Sequence, residues 1–147
     1  MELNEIHEER LNDALLGKGL RATRQRELIY KVIIHSNHPT ADEVYMASKK
    51  TMPSISLATV YNCLETLVEC GLIRPFNFDR EATRYDPDLS DHAHFQCRDS
   101  GDVFDIPLQE NVKSYLKTLL PEHFELDSVE LAFKGRGPRH ELEQLAH

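Results

Sequence analysis

Ser56-Leu-Ala-Thr-Val-Tyr-Asn-Cys-Leu-Glu-Thr-Leu-Val-Glu-Cys70 opens on a hydroxyl and repeats its apolar residues at helical spacing. At about 100° per residue, Leu57, Val60, Leu64, Leu67 and Val68 fall on one face. Ala58, Thr59, Asn62 and Thr66 fall on the other, with Tyr61 at the boundary. Ser56 is a good N-cap, and Ile55 and Val60 are spaced as a hydrophobic staple around it. The polar face is small and uncharged near its start. That suits close approach to base edges and thymine methyl groups, with Tyr61 able to reach one. The same pattern also describes a core helix with a solvated face.

Upstream, residues 3–16 read as an amphipathic helix with Ile6, Leu11, Leu15 and Leu16 as its apolar residues, ending at Gly17 and Gly19. Thr23 caps a second helix in which Leu28, Ile29, Val32 and Ile33 repeat. His38-Pro39 breaks the chain, and Thr40-Ala-Asp-Glu43 reads as a capping box for a third helix closed by Pro53. Downstream of Gly71, residues 72–78 and 83–86 are two extended stretches flanking a charged turn at Asp79-Arg80-Glu81. Helices followed by a β-hairpin are the pattern of a winged helix-turn-helix, whose last helix enters the major groove. Arg21, Arg24 and Arg26 are placed to hold phosphates or probe a minor groove.

The charge is unevenly distributed over the 147 residues, whose net balance is −8. Residues 17–80 hold nine Lys/Arg against six Asp/Glu, whereas residues 81–147 hold seven against fourteen. A mildly basic module followed by an acidic one fits DNA binding by the first and cation binding by the second. No apolar run is long enough to span a bilayer, and residues 1–9 are acidic where a signal peptide is basic and apolar. A cytoplasmic protein with no membrane partner is expected. The three cysteines, Cys63, Cys70 and Cys97, form no CxxC pair and suggest no disulfide framework.

The second module reads as strands at His94–Cys97 and Asp102–Ile106, a helix over 108–120, and a strand over 124–133 that alternates with period two. A polar tail runs from His140 to His147. The expected class is α+β, with a winged helix-turn-helix domain over 1–84 and a small α/β dimerisation domain over 85–147. Open sheet edges in so small a unit predict a symmetric homodimer, which matches a two-fold site on double-stranded DNA.

Between the modules lies Asp86-Pro-Asp-Leu-Ser-Asp-His92-Ala-His94. His92 and His94 project to one side of an extended chain, so both can reach one ion. Asp86 lies just upstream, Asp105 falls on the neighbouring strand, and His38 is the best placed further donor by type. Three imidazoles and two carboxylates suit Fe(II) or Mn(II) at the hinge, although Zn(II) often binds such donors more tightly in vitro. Asp88, Asp91, Asp99 and Asp102 are left to solvent. Two histidines and a carboxylate are also an oxygenase signature, but the short chain offers no evident scaffold for an organic substrate. A regulator is expected before an enzyme.

Leu20-Arg-Ala-Thr-Arg-Gln-Arg26, His38-Pro-Thr-Ala-Asp-Glu-Val-Tyr45, Ser56-Leu-Ala-Thr-Val-Tyr-Asn62, Gly71-Leu-Ile73, Arg84-Tyr-Asp86 and Ser90-Asp-His-Ala-His94 recur in order. Over residues 10–134 the chain resembles the ferric uptake regulator family of metal-dependent bacterial transcription factors. The resemblance implies a homodimer on an A/T-rich inverted repeat, usually for repression. It puts the regulatory metal on His38, Asp86, His92, His94 and Asp105, and the recognition helix on 56–70. Ser56, Ala58, Thr59, Tyr61 and Asn62 then face DNA, with Tyr61 the base contact and Arg21 the minor-groove residue.

One departure and one subgroup marker stand out. The family usually holds a structural zinc with two CxxC pairs, but here the first reads Cys97-Arg-Asp-Ser100 and the second is missing from Lys134–His140. No structural zinc is expected. Asp105, where iron-uptake regulators commonly carry Glu, resembles the peroxide-sensing branch. In that branch Fe(II) reacts with peroxide and a ligand histidine is oxidised; His38 and His92 are the corresponding residues. Plain iron sensing and haem-linked iron regulation remain alternatives, although haem-responsive members tend to carry a run of three histidines where this chain has His92-Ala-His94.

Overall fold

Each of the first four helices begins on a side-chain oxygen that accepts a backbone N–H. In the computed structural model, which describes residues 2–138, Asn4 accepts from His7 at 2.8 Å and starts α1 (Glu5–Gly17). Thr23 accepts from Arg26 at 3.2 Å and starts α2 (Arg24–Ile34). Thr40 accepts from Glu43 at 3.2 Å for α3 (Ala41–Thr51), and Ser56 from Thr59 at 3.1 Å for α4 (Leu57–Glu69). Such a cap contributes about 1 kcal/mol, so four of them fix where the helices start. The polar tail expected at His140–His147 lies outside the described residues.

The chain divides into two units, one ending at Leu89 and the other starting at Ser90. The boundary expected at 84/85 therefore moves, because β2 (Arg84–Asp86) is hydrogen-bonded to β1 (Arg74–Phe76) and stays with the first unit. In that antiparallel hairpin, Arg74 opposes Asp86 and Phe76 opposes Arg84. The core of the first unit includes Leu15, Ile29, Ile33, Val44, Val60 and Leu67, all fully buried. Three side chains depart from the apolar faces expected. Ile6 and Leu16 are exposed on α1, and Leu57 is exposed in the first turn of α4. Leu3, outside α1, is buried instead.

The second unit is a three-stranded sheet in the order β4 (Val103–Pro107), β3 (His92–Cys97), β5 (Ala132–Gly135), with α5 (Glu110–Thr118) between β4 and β5 in the chain. β3 pairs antiparallel with β4 and parallel with β5. The expected strand over 124–133 forms only at its end. The parallel register sets His94 against Ala132, so residues before about 130 run past the start of β3 and have no strand opposite them. Their alternation is real, but this sheet has no place for it. No helix among the described residues is long and apolar enough to cross a membrane.

After β5, the chain passes close against the ends of β3 and β4. A Cβ on Gly135 would meet the Phe95 ring at 3.3 Å, and one on Gly137 would meet Phe104 at 3.4 Å. Arg136 Nε donates to Asp99 Oδ2 at 2.9 Å, which corrects the expectation that Asp99 is merely solvated. The Arg98 amide donates to the Gly135 carbonyl at 2.8 Å. The buried Cys97 thiol accepts from the Ser100 hydroxyl and then from the amides of Gly137, Ser100 and Asp99, which together lower its pKa to about 7.

A thiol depressed in the folded state contributes stability that is fully present above its unfolded value of 9.0 and is lost as the pH falls through about 7. Replacing Cys97 by Ala is therefore expected to cost more stability at about pH 9 than at about pH 6. Urea unfolding at the two pH values measures this; equal costs would contradict it.

Candidate metal centre

Within the first unit, His38 and Asp86 are brought together by a turn docked onto a strand. His38 has a left-handed backbone, with φ of 50°. Its carbonyl accepts from Arg84 Nη1 at 3.0 Å, and the Tyr85 amide donates to the Pro39 carbonyl at 2.9 Å. The Phe76 ring stands edge-on to the imidazole, with centroids 5.5 Å apart. These contacts leave His38 Nε2 3.5 Å from Asp86 Oδ2, both side chains being buried. The other Asp86 oxygen, Oδ1, accepts from the Asp88 amide at 2.9 Å. Glu43, expected to complete a capping box, has its carboxylate 4.0 Å from the Arg84 guanidinium.

Within the second unit, strand geometry assembles a second set. His92 and His94 lie on one face of β3, and His94 is directly opposite Asp105 on β4. His92 Nε2 and His94 Nε2 are 3.0 Å apart. Asp105 Oδ1 is 3.2 Å from the first and 3.5 Å from the second. His92 Nδ1 lies 2.8 Å from the Ser90 carbonyl, which can only accept, so Nδ1 donates there and Nε2 is left to face the cluster.

The donor spacing fits an ion. Ligands about 2.1 Å from a common centre lie about 3.0–3.4 Å apart at right-angle to tetrahedral angles. Nitrogen and carboxylate donors without sulfur suit Fe(II), Mn(II) or Zn(II). One charged neighbour is engaged elsewhere. Asp91, expected to be solvated, is paired with Lys113, whose pKa that hydrogen bond raises.

The helix face singled out for nucleic acid is only partly open. Ala58, Tyr61 and Asn62 on α4 are exposed, Tyr61 by 49%. Ser56 and Thr59 hold each other at the helix start, with hydroxyl oxygens 2.9 Å apart. Arg21 is exposed, but Arg26 donates to the Arg21 carbonyl at 2.8 Å and is less available to a phosphate than the sequence suggested. Tyr85 lies near enough to Tyr61 that, after burial, Tyr61 is the second cause of its raised pKa.

Residues 17–134 match the model of the ferric uptake regulator family. The chain belongs to that family. The peroxide-responsive repressor PerR of Staphylococcus saprophyticus is 36% identical over 105 residues, 69% of this chain and 71% of that protein. The chain spans 63% of the length of the Staphylococcus aureus repressors that match at the same identity. Among solved structures, the peroxide stress regulator of Campylobacter jejuni is 29% identical, with a TM-score of 0.63 over 95% of this chain and 99% of that one. The ferric uptake regulator of Pseudomonas aeruginosa, solved with manganese, is 28% identical, with a TM-score of 0.69 over 88% and 98%.

Two residues beside the candidate donors His38 and Asp86 were given no role by the sequence. Asn37, immediately before His38, has its Oδ1 2.6 Å from His38 Nδ1. Arg84, two residues before Asp86, holds the His38 carbonyl. Adjacency to a donor was the available signal for both.

Proposed function

We propose that this chain is a metal-dependent, DNA-binding transcriptional regulator, a repressor that acts as a homodimer and senses peroxide through a ligand histidine. The observation that carries the reading is the division of the donors. His38 and Asp86 converge in one unit, and His92, His94 and Asp105 in the next, on either side of Leu89. Sharing one Fe(II) or Mn(II) between both sets restricts the hinge to the arrangement in which they meet, and so biases a two-state equilibrium. Zn(II) is expected to occupy the same donors in vitro.

In this reading α4 enters the major groove with Ala58, Tyr61 and Asn62, the β1–β2 hairpin is the wing, and Arg21 reaches the minor groove. Ser56 and Thr59 shape the start of the helix against the backbone. An A/T-rich inverted repeat is the partner that a two-fold dimer fits. Support for the homodimer comes from α5, which buries none of its residues in this chain and exposes Tyr115 by 63%. Residues 124–129, alternating but unmatched by β3, supply a second apolar edge for a second copy.

Likeness to peroxide-responsive repressors, together with Asp105, favours peroxide over plain iron as the signal. Bound Fe(II) supplies the redox chemistry with hydrogen peroxide. One peroxide is consumed, one oxygen atom enters an imidazole ring of His38 or His92, and one water is released. The modified ring no longer presents the same nitrogen donor, and the hinge is freed.

Gel-shift titration with an inverted-repeat duplex tests the regulator. Mn(II) is expected to tighten binding of the wild type by roughly 5–150-fold, the usual range for coupled sites. His38→Ala and Asp105→Ala are expected to lose that gain while remaining dimeric by sedimentation; unchanged binding in both contradicts the shared ion. Mass spectrometry of the Fe(II)-loaded chain after peroxide tests the signal. A gain of one oxygen on His38 or His92 supports peroxide sensing, whereas intact histidines with iron-dependent DNA binding point to an iron-responsive regulator.

A further inference from the structure

We propose that Asn37 is a positioning residue for His38, and that it acts by fixing which imidazole nitrogen carries the proton. The inference rests on the metal reading above. Asn37 Oδ1 is 2.6 Å from His38 Nδ1. An amide oxygen accepts and cannot donate, so the shared proton belongs to Nδ1. In a neutral imidazole that leaves Nε2 unprotonated, and Nε2 is the atom turned toward Asp86 at 3.5 Å.

The second unit repeats the device. His92 donates from Nδ1 to the Ser90 carbonyl at 2.8 Å and keeps Nε2 for its cluster. At both histidines the acceptor lies one or two residues upstream. At His92 it belongs to the backbone, and at His38 to a side chain that substitution can remove.

The pose of the His38 ring has other supports. Arg84 holds the carbonyl at 3.0 Å, the backbone is left-handed, and Phe76 stands against the ring at 5.5 Å. Loss of the Asn37 amide therefore changes the proton's position more than the ring's position. A donor whose proton must first move from Nε2 to Nδ1 binds metal less well, which is why partners in this place tune affinity.

The test uses the full chain in three forms: wild type, Asn37→Ala, and Asn37→Asp, which keeps an accepting oxygen. Long-range proton–nitrogen NMR correlations of the metal-free chains read the His38 tautomer directly. The Nδ1–H form is expected in the wild type and in Asn37→Asp, with a mixture in Asn37→Ala. Mn(II) titration is expected to show affinity about 10–100-fold weaker in Asn37→Ala and recovered in Asn37→Asp. An Nε2–H form in the wild type, or an unchanged Nδ1–H form with unchanged affinity in Asn37→Ala, overturns the proposal. A wild-type chain that binds no Mn(II) contradicts the metal reading itself, and the ring spectra then decide the tautomer alone.

Discussion

Two hydrogen bonds from β2 back to the His38–Pro39 turn hold His38 and Asp86, the candidate donors of the first unit, in place. The Arg84 guanidinium reaches the His38 carbonyl across 46 residues of sequence, and the Tyr85 amide reaches the Pro39 carbonyl. Closing so long a loop costs entropy that grows only slowly with its length. The packed helices α2 to α4 have already brought the ends together, so the bonds add direction at little further cost. The left-handed His38 is thereby held between a strand and an aromatic wall. Donor geometry on one side of Leu89 is thus a product of the helical core.

The second unit reaches its geometry by another route. Alternation along β3 and the antiparallel register with β4 suffice to put His92, His94 and Asp105 on one face. That unit is thin: its helix buries none of its side chains in this chain, and its last strand extends only four residues. What the helical core does for His38 and Asp86, association with a second copy does for this sheet in the proposed dimer. The acidic excess lies beyond position 80 and the basic excess ahead of it, which fits the proposed division between a DNA-binding part and a cation-binding part.

Much of this was legible in the sequence because the signals were local. Thr23, Thr40 and Ser56 announced their helices by residue type, and the period of α4 identified Val60, Leu64 and Leu67 as core. The His-x-His spacing implied a shared face as soon as the segment was taken as extended. Several misses were non-local. Period two over 124–133 could not reveal that β3 begins too late to pair with its first half. Asp91 and Asp99 looked solvated because Lys113 and Arg136 lie far along the chain. Asn37 was passed over because its value depends on the turn that aims it at the imidazole.

An ion shared by donors from both units, as proposed, would narrow the range of separations between them. Pulsed electron resonance with one spin label in each unit, recorded with and without diamagnetic Zn(II), measures that range. Zn(II) is expected to collapse a broad distance distribution to a single narrow one in the wild type, and to leave it broad in His38→Ala. An unchanged distribution in the wild type, or the same narrowing in His38→Ala, would contradict an ion shared across the hinge.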